Sequence, residues 1–320
     1  MAYKVGFVGS GGISNRYARI FSEHDELELI SCCDVVKDKA NILADHYNMN
    51  PYTNYQEMIN KEHLDIVYIG VPPVVHSEVV SYAINKKLNI ICEKPIAHTI
   101  DVGKKMTKEA KSSNVVTCIN LMIVYSNHVQ KIKKMYKNYE FGSLRRVELV
   151  LRFPIWPREW QNVSWLKTSE QGGPLREVGT HFFASLKEIF GPVKRVIAIV
   201  DYDDPDLYER SAWGIIEFEN NVKVSLDLLC NTNHVEENTL SLHGSKKSIS
   251  FVGWRKLIEN YRTHSEKSID ETSHWPNLAD EFVKALKGES AKLVSFASAT
   301  ETQEVLSAIL SSNGKWIEIN

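Results

Sequence analysis

The chain has 320 residues, more than one ordinary hydrophobic core organises, so its length points to two domains. Hydrophobic residues make up 43% and charged residues 24%, which excludes a disordered or fibrous chain. The formal net charge of -2, with no long basic or acidic run, removes the electrostatic reason to expect nucleic acid or a membrane surface as partner.

In chain order, the first half alternates strand and helix signals. Tyr3–Val8, Leu27–Cys33, Ile66–Val71, Asn89–Cys92 and Val115–Leu121 are short apolar runs rich in Val and Ile, the pattern of strands covered on both faces. Between them Ile13–Ser22, Lys37–Tyr47, Val74–Lys86 and Ile100–Ser112 carry helical periodicity. This order predicts a parallel, doubly wound sheet with right-handed crossovers over residues 1–122. The rhythm then changes. A polar helix, Asn127–Asn138, leads to a strand at Leu144–Phe153, a Trp-containing loop and a helix at Pro174–Phe190. Strand-like runs follow at Val193–Val200, Trp213–Phe218, Val222–Leu229, Asn238–His243 and Ser248–Val252. Phe218-Glu219-Asn220-Asn221-Val222 reads as a tight hairpin, because Asn tolerates the positive φ such turns demand. Helices at Pro276–Lys287 and Ser298–Ser311 precede a last short strand at Trp316–Ile319. Residues 123–320 are therefore expected to form an α+β domain with a large, mainly antiparallel sheet.

The cysteines Cys32, Cys33, Cys92, Cys118 and Cys230 are odd in number and lack metal-ligand spacing. Four lie in or at the ends of apolar strand-like runs, so they read as free thiols in a reducing compartment. No His, Cys, Asp and Glu cluster shows ligand spacing, and no metal is expected. Strand signal begins almost at Met1, leaving no room for a signal peptide, and no apolar run approaches the roughly 18 residues of a membrane span. A cytoplasmic location is expected. His24, His46, His63, His98, His128 and His264 stand in no pattern and read as surface or structural residues.

The first chemical signal is Gly9-Ser10-Gly11-Gly12-Ile13-Ser14, between the first strand and the first helix. Gly9 allows the tight turn, Gly11 lets backbone approach a pyrophosphate, and a small third residue, here Ser14, permits close helix–strand packing. The helix N-terminus offers free N–H groups to phosphates. Asp34 ends the second strand, where a dinucleotide fingerprint expects an acid for the ribose hydroxyls, and it also suits a helix N-cap. Together these predict a Rossmann dinucleotide-binding domain. A carboxylate at 34 repels a 2′-phosphate, and Val35 and Val36 offer no cation, so NAD is expected and NADP disfavoured, with Lys37 the nearest cation to reach one. The second signal is Cys92-Glu93-Lys94-Pro95, at a strand end where open α/β sheets bind ligands. There Lys94 can hydrogen-bond a substrate oxygen as it gains or loses a proton. Val71-Pro72-Pro73 makes a similar stop at the strand before. The expected cofactor contacts are Gly9, Gly11, Gly12, Ile13, Asp34, Val71, Pro72, His76, Glu93 and Lys94.

The chain resembles the Gfo/Idh/MocA oxidoreductases, the glucose–fructose oxidoreductase and inositol dehydrogenase family. The resemblance rests on the glycine turn, the stretch Asp65–His76, Glu93-Lys94-Pro95, Gly172-Gly173-Pro174-Leu175-Arg176-Glu177-Val178-Gly179-Thr180-His181, the turn His243–Ser248 and the helix Ser298–Ser311. It implies a soluble dehydrogenase or reductase acting on sugars, polyols or activated sugars, and a homodimer or homotetramer. Lys94 matches the family's lysine and His181 its general acid/base, a role imidazole suits because its unperturbed pKa lies near neutrality. Glu177 stands where the family has Asp, at i, i+4 from His181, and is the third expected catalytic residue. Ala184 replaces a further family Asp, Val124 an arginine and Asn127 a proline. Trp156, Arg158, Trp160 and Trp165 precede Gly172-Gly173, where relatives line their pocket. With Asn120 they are the expected substrate residues, although each Trp reads equally well as a loop anchor. Two other functions stay open: an NAD-dependent glycosidase of the same fold and a non-catalytic ligand-sensing regulator.

Overall fold

The structure, a computed structural model, describes residues 2–161, 163–260, 267–268 and 274–319. The chain folds into two compact units, residues 1–121 with 276–300 and residues 122–275 with 301–320.

The first unit runs β1 (Tyr3–Val8), α1 (Gly12–Ser22), β2 (Leu27–Cys33), α2 (Lys37–Tyr47), β3 (Asn50–Tyr52), α3 (Tyr55–Lys61), β4 (Ile66–Ile69), α4 (Pro73–Asn85), β5 (Asn89–Cys92), α5 (Ile100–Lys111) and β6 (Thr117–Ile119). The strand order is β3-β2-β1-β4-β5-β6 and every pair is parallel. Val5, Phe7, Ile66, Val67, Tyr68, Ile69, Ile90 and Ile91 are all buried, because a doubly wound sheet is covered on both faces. The order reverses between β1 and β4, and the carboxyl ends of those two strands mark the ligand crevice of such sheets. β3 and α3 are absent from the sequence reading. β3 is a three-residue edge strand with a central Pro51, too short for a periodic signal. α3 carried a helix-start signal: Asn54, three residues before Glu57, caps the helix by accepting the Glu57 N–H at 2.8 Å.

The second unit contains α6 (Asn127–Lys137), β7 (Leu144–Phe153), a π-helical turn (Leu175–Gly179), α7 (Thr180–Phe190), β8 (Val193–Tyr202), β9 (Glu209–Phe218), β10 (Lys223–Cys230), β11 (Glu237–Gly244), β12 (Ser248–Val252), β13 (Lys256–Asn260) and β14 (Lys267–Ser268). The chain closes with α8 (Leu278–Leu286), α9 (Phe296–Ser311) and β15 (Ile317–Glu318). The sheet order is β14-β13-β12-β11-β7-β10-β9-β8-β15, antiparallel throughout except for the parallel pair β7 and β10. Alternation decides its faces. Val147, Leu149, Leu151, Val224, Leu226, Leu228, Leu240 and Leu242 are buried, and helix residues such as Phe190 pack with them, its ring 5.4 Å from Phe218. Asn221 takes φ 66° in the hairpin turn, as the sequence requires.

Two expectations are corrected. The helix read from Pro174 is not α-helical at its start: Leu175–Gly179 form a π turn and α7 begins at Thr180. The local gain of a residue per turn leaves no periodicity signal. The second correction is that residues 276–300 return to the first unit. The Ile119 N–H donates to the Val294 carbonyl at 2.9 Å, and the Thr300 hydroxyl to that of Gly103 at 3.2 Å. Periodicity shows that a helix has an apolar face and is silent on what that face meets. Among the described residues no helix is long and apolar enough to cross a membrane.

Candidate functional site

The glycine turn leaves β1 through Gly9 at φ 95°, where a side chain would collide with the Gly70 carbonyl. The Gly9 N–H donates to the Cys33 carbonyl at 2.8 Å, tying the turn to β2. Gly11 is the N-cap of α1, with no side chain to cap the first N–H groups, and the first turn holds no acid. A Cβ at Gly11 or Gly12 would meet nothing within 4 Å, so these glycines keep open space in front of a helix N-terminus. That is the cradle a pyrophosphate fits. Ile13 adds an exposed apolar side chain beside it. Ser14 is buried against Gly70, whose own Cβ would collide with the Ser14 hydroxyl, so a glycine on the loop after β4 makes up for the serine on α1.

Asp34 is fixed by the turn it serves. Its Oδ2 accepts the Ser10 N–H at 3.0 Å and its Oδ1 the Val36 N–H at 2.9 Å. The N-cap of α2 is Val36, so Asp34 bridges the glycine turn and its own loop rather than capping that helix. Val35 and Val36 are exposed.

Around the ends of β4, β5 and β6, three expected ligand contacts turn inward instead. His76 is fully buried, with Nε2 2.9 Å from the Val71 carbonyl and Nδ1 3.2 Å from that of Ile96. It braces the Val71-Pro72 loop against the segment after Lys94, and desolvation lowers its pKa. Glu93 is buried: its Oε1 accepts the Tyr68 hydroxyl at 2.5 Å and the Asn120 amide at 2.6 Å, and its Oε2 the Lys94 N–H at 3.3 Å. Asn120, expected to meet substrate, is buried and accepts the Tyr17 hydroxyl at 2.9 Å. Burial raises the Glu93 carboxyl, and raises the Tyr68 and Tyr17 hydroxyls further above their ordinary range. The Tyr17–Asn120–Glu93–Tyr68 chain thus holds the backbone at Lys94. Lys94, Val71 and Pro72 are half-buried at the strand ends. Sequence position places these residues at strand ends but does not say which way a side chain turns.

In the second unit, Glu177 lies on the π turn and accepts the Gln161 amide at 3.3 Å. His181 stands in the first turn of α7, its ring edge-on to Trp254 at 5.5 Å. π turns recur at functional sites because they displace one side chain from α-helical register. Trp254, at φ 68° and also packed on Phe182, escaped the sequence reading, as a strained conformation leaves no composition signal. The Trp loop divides. Trp156 is a packing anchor, buried against Phe153 with its indole N–H to the Leu166 carbonyl at 3.4 Å. Trp165 is half-buried in a short turn. Trp160 is 74% exposed. Arg158 lies over the rings of Phe153, Trp156 and Trp160 and pairs with Glu236 at 3.0 Å, so its charge is already matched. Among the other histidines, His24 pairs with Asp280 at 3.4 Å and His128 meets the Arg255 carbonyl at 3.1 Å, while His264 lies outside the described residues. All five cysteines are buried free thiols.

Residues 3–121 match the model of an oxidoreductase family with an NAD-binding Rossmann fold, and residues 129–250 match the GFO/IDH/MocA C-terminal domain. The chain belongs to the Gfo/Idh/MocA family. D-glucoside 3-dehydrogenase of Escherichia coli K12 is 21% identical over 97% of this chain and 95% of its own length. An uncharacterized oxidoreductase of Bacillus subtilis is 23% identical over 58% of this chain and 53% of its own, and the chain spans about half the length of several curated relatives it matches. The fold is that of the WlbA dehydrogenase of Bordetella pertussis, solved with NADH and UDP-GlcNAcA (TM-score 0.87, 18% identity, covering 100% of this chain and 99% of that one). Against the Gfo/Idh/MocA pattern, Asn127 has a local reason: its N–H donates to the His274 carbonyl at 3.0 Å, a bond proline cannot make. Ala184 is buried on α7.

Proposed function

We propose that this chain transfers hydride between NAD and the hydroxyl- or carbonyl-bearing carbon of a sugar, polyol or activated sugar. The observation that carries the reading is the glycine turn: open space in front of an uncapped helix N-terminus, with Asp34 anchored to the Ser10 N–H beside it. These residues fit a dinucleotide. Gly11, Gly12 and Ile13 would receive its pyrophosphate and Asp34 its adenosine ribose hydroxyls. NAD, when bound, supplies the hydride acceptor or donor. The protein's part is the proton. Lys94, at the end of β5 with its backbone fixed by Glu93, stabilises or deprotonates the reacting hydroxyl. His181 serves as general acid/base, with Glu177 orienting substrate or imidazole. The test is NAD reduction across D-glucosides, inositols and nucleotide-sugar acids, alongside NAD binding followed by tryptophan fluorescence. Reduction with at least one polyol or glycoside is expected. Failure to bind NAD overturns the reading.

Self-association belongs to the same reading. Ile199 and Trp213 are cross-strand partners on β8 and β9, 51% and 66% exposed on the sheet face opposite the buried one. Adjacent exposed apolar side chains of this size favour burial against a second copy.

A further inference from the structure

The segment that carries Glu177 and His181 is held at its start by a carboxyl group that no sequence motif marks. Glu209, the first residue of β9, is fully buried. Its Oε1 accepts the Leu175 N–H at 2.6 Å. Leu175 opens the π turn, and a donor in a first turn has no acceptor within its own helix. The other carboxyl oxygen lies against Gly173, where φ is 97° and a side chain would collide with it. Among the described residues that oxygen has no hydrogen-bond partner. Arg176 completes the grip by donating to the Gly172 carbonyl at 3.1 Å. Packing alone does not call for an acid here, since a buried carboxyl costs free energy that an apolar side chain of the same volume avoids.

We propose that Glu209 is a positioning residue: by anchoring the Leu175 amide and seating Gly173, it fixes the π turn that bears Glu177 and the starting point of α7, and so sets where His181 stands. The proposal rests on the catalytic reading of Glu177 and His181. Glu209 acts only through them. Burial pushes its carboxyl up to about 7, so near neutrality much of it is the uncharged acid, which still offers an acceptor oxygen.

The test compares two variants of nearly the same volume. Glu209→Gln keeps an acceptor oxygen; Glu209→Met does not. Two readouts need no substrate: hydrogen exchange of the Leu175 amide, and the ring-proton NMR signals of His181, which the edge-on Trp254 ring shifts. The His181 signals are assigned by their loss in His181→Ala. In Glu209→Met the Leu175 amide should exchange at least about tenfold faster, the equivalent of one buried hydrogen bond, and the His181 signals should move toward the values of a free histidine. Glu209→Gln should keep both near wild type. A Met variant that matches wild type, or a Gln variant as disturbed as Met, overturns the proposal. If Glu209→Met does not fold, the wild-type protein still decides: a Leu175 amide that exchanges at an unprotected rate overturns it, and one protected in both wild type and Gln supports it. The catalytic reading is tested apart from this, by turnover of His181→Ala. Undiminished turnover there defeats that reading and leaves the two structural readouts standing.

Discussion

Each oxygen of the Asp34 carboxylate accepts a backbone N–H, from Ser10 and from Val36, and still has lone pairs to offer a ribose. The same charge repels a 2′-phosphate, and the neighbours Val35 and Val36 cannot neutralise one. NAD should therefore bind more tightly than NADP in parallel fluorescence titrations, and Asp34→Ala should narrow the gap, chiefly by improving NADP. Equal affinities in the wild type would speak against this role. Lys94 and His181 carry the proton chemistry under the proposed function. Lys94→Ala and His181→Ala should each lower kcat by about 10²–10⁴-fold, the usual worth of a positioned acid or base. Affinity for NAD should change little. Near-wild-type kcat in both variants would send the search for the acid/base elsewhere.

Among the elements, the contact of α1 with the loop after β4 depends on two small residues facing each other. Gly70→Ala places a methyl group on the Ser14 hydroxyl and should destabilise the protein by about 1–3 kcal/mol, as overpacking does. Ser14→Gly in the same chain should recover part of that loss in chemical denaturation. An additive double mutant would show that the two do not compete for space. The π turn offers a second prediction, through pH. The Glu209 carboxyl is raised from 4.5 to about 7 by burial, so the folded state holds its proton more tightly than the unfolded chain. Its contribution is fully present below the unfolded value and is lost as pH rises through about 7, on the order of 3 kcal/mol at most. Arg176, Tyr202 and Cys230 are the charged or titratable groups around it. Burial raises the tyrosine and the thiol, and an arginine stays cationic, so of these four described groups Glu209 is the one that changes charge in that window. Stability measured from about pH 4 to about pH 8, a range that spans the two values, should fall less steeply in Glu209→Gln than in wild type. Equal slopes would show that Glu209 ionises freely.

At the scale of the whole molecule, the nine-stranded sheet leaves Ile199 and Trp213 exposed side by side, and Arg195 stacks on Trp316 near the same edge at 4.4 Å. A second copy covering this face would give the homodimer or homotetramer expected of the chain. Light scattering at micromolar concentration should return a multiple of the 36.5 kDa chain mass, and Trp213→Lys should shift it toward the monomer. A wild-type protein that scatters as a monomer rules this assembly out.

The amino-acid sequence by itself determined which segments become strands and helices over most of the chain, because burial on one or two faces writes a period into it. It also marked the loops to which the proposed function assigns the chemistry, since a turn at Gly9, an acid at Asp34 and a lysine at Lys94 sit at strand ends whatever their side chains do next. Only the tertiary structure decided the direction those side chains take. Glu93, His76 and Asn120 lie at the expected positions and spend their polar atoms inside the fold, because Tyr68, Tyr17 and the Ile96 carbonyl reach them from other elements. The same holds for Trp156, matched by the Leu166 carbonyl, and for Arg158, matched by Glu236. Glu209 is the extreme case: nothing around it in the chain sets it apart, and its part in the π turn exists only because β9 brings it to Gly173 and Leu175. Periodicity is a local property and survives in the sequence, whereas a hydrogen-bond partner from another element is a property of the folded chain alone.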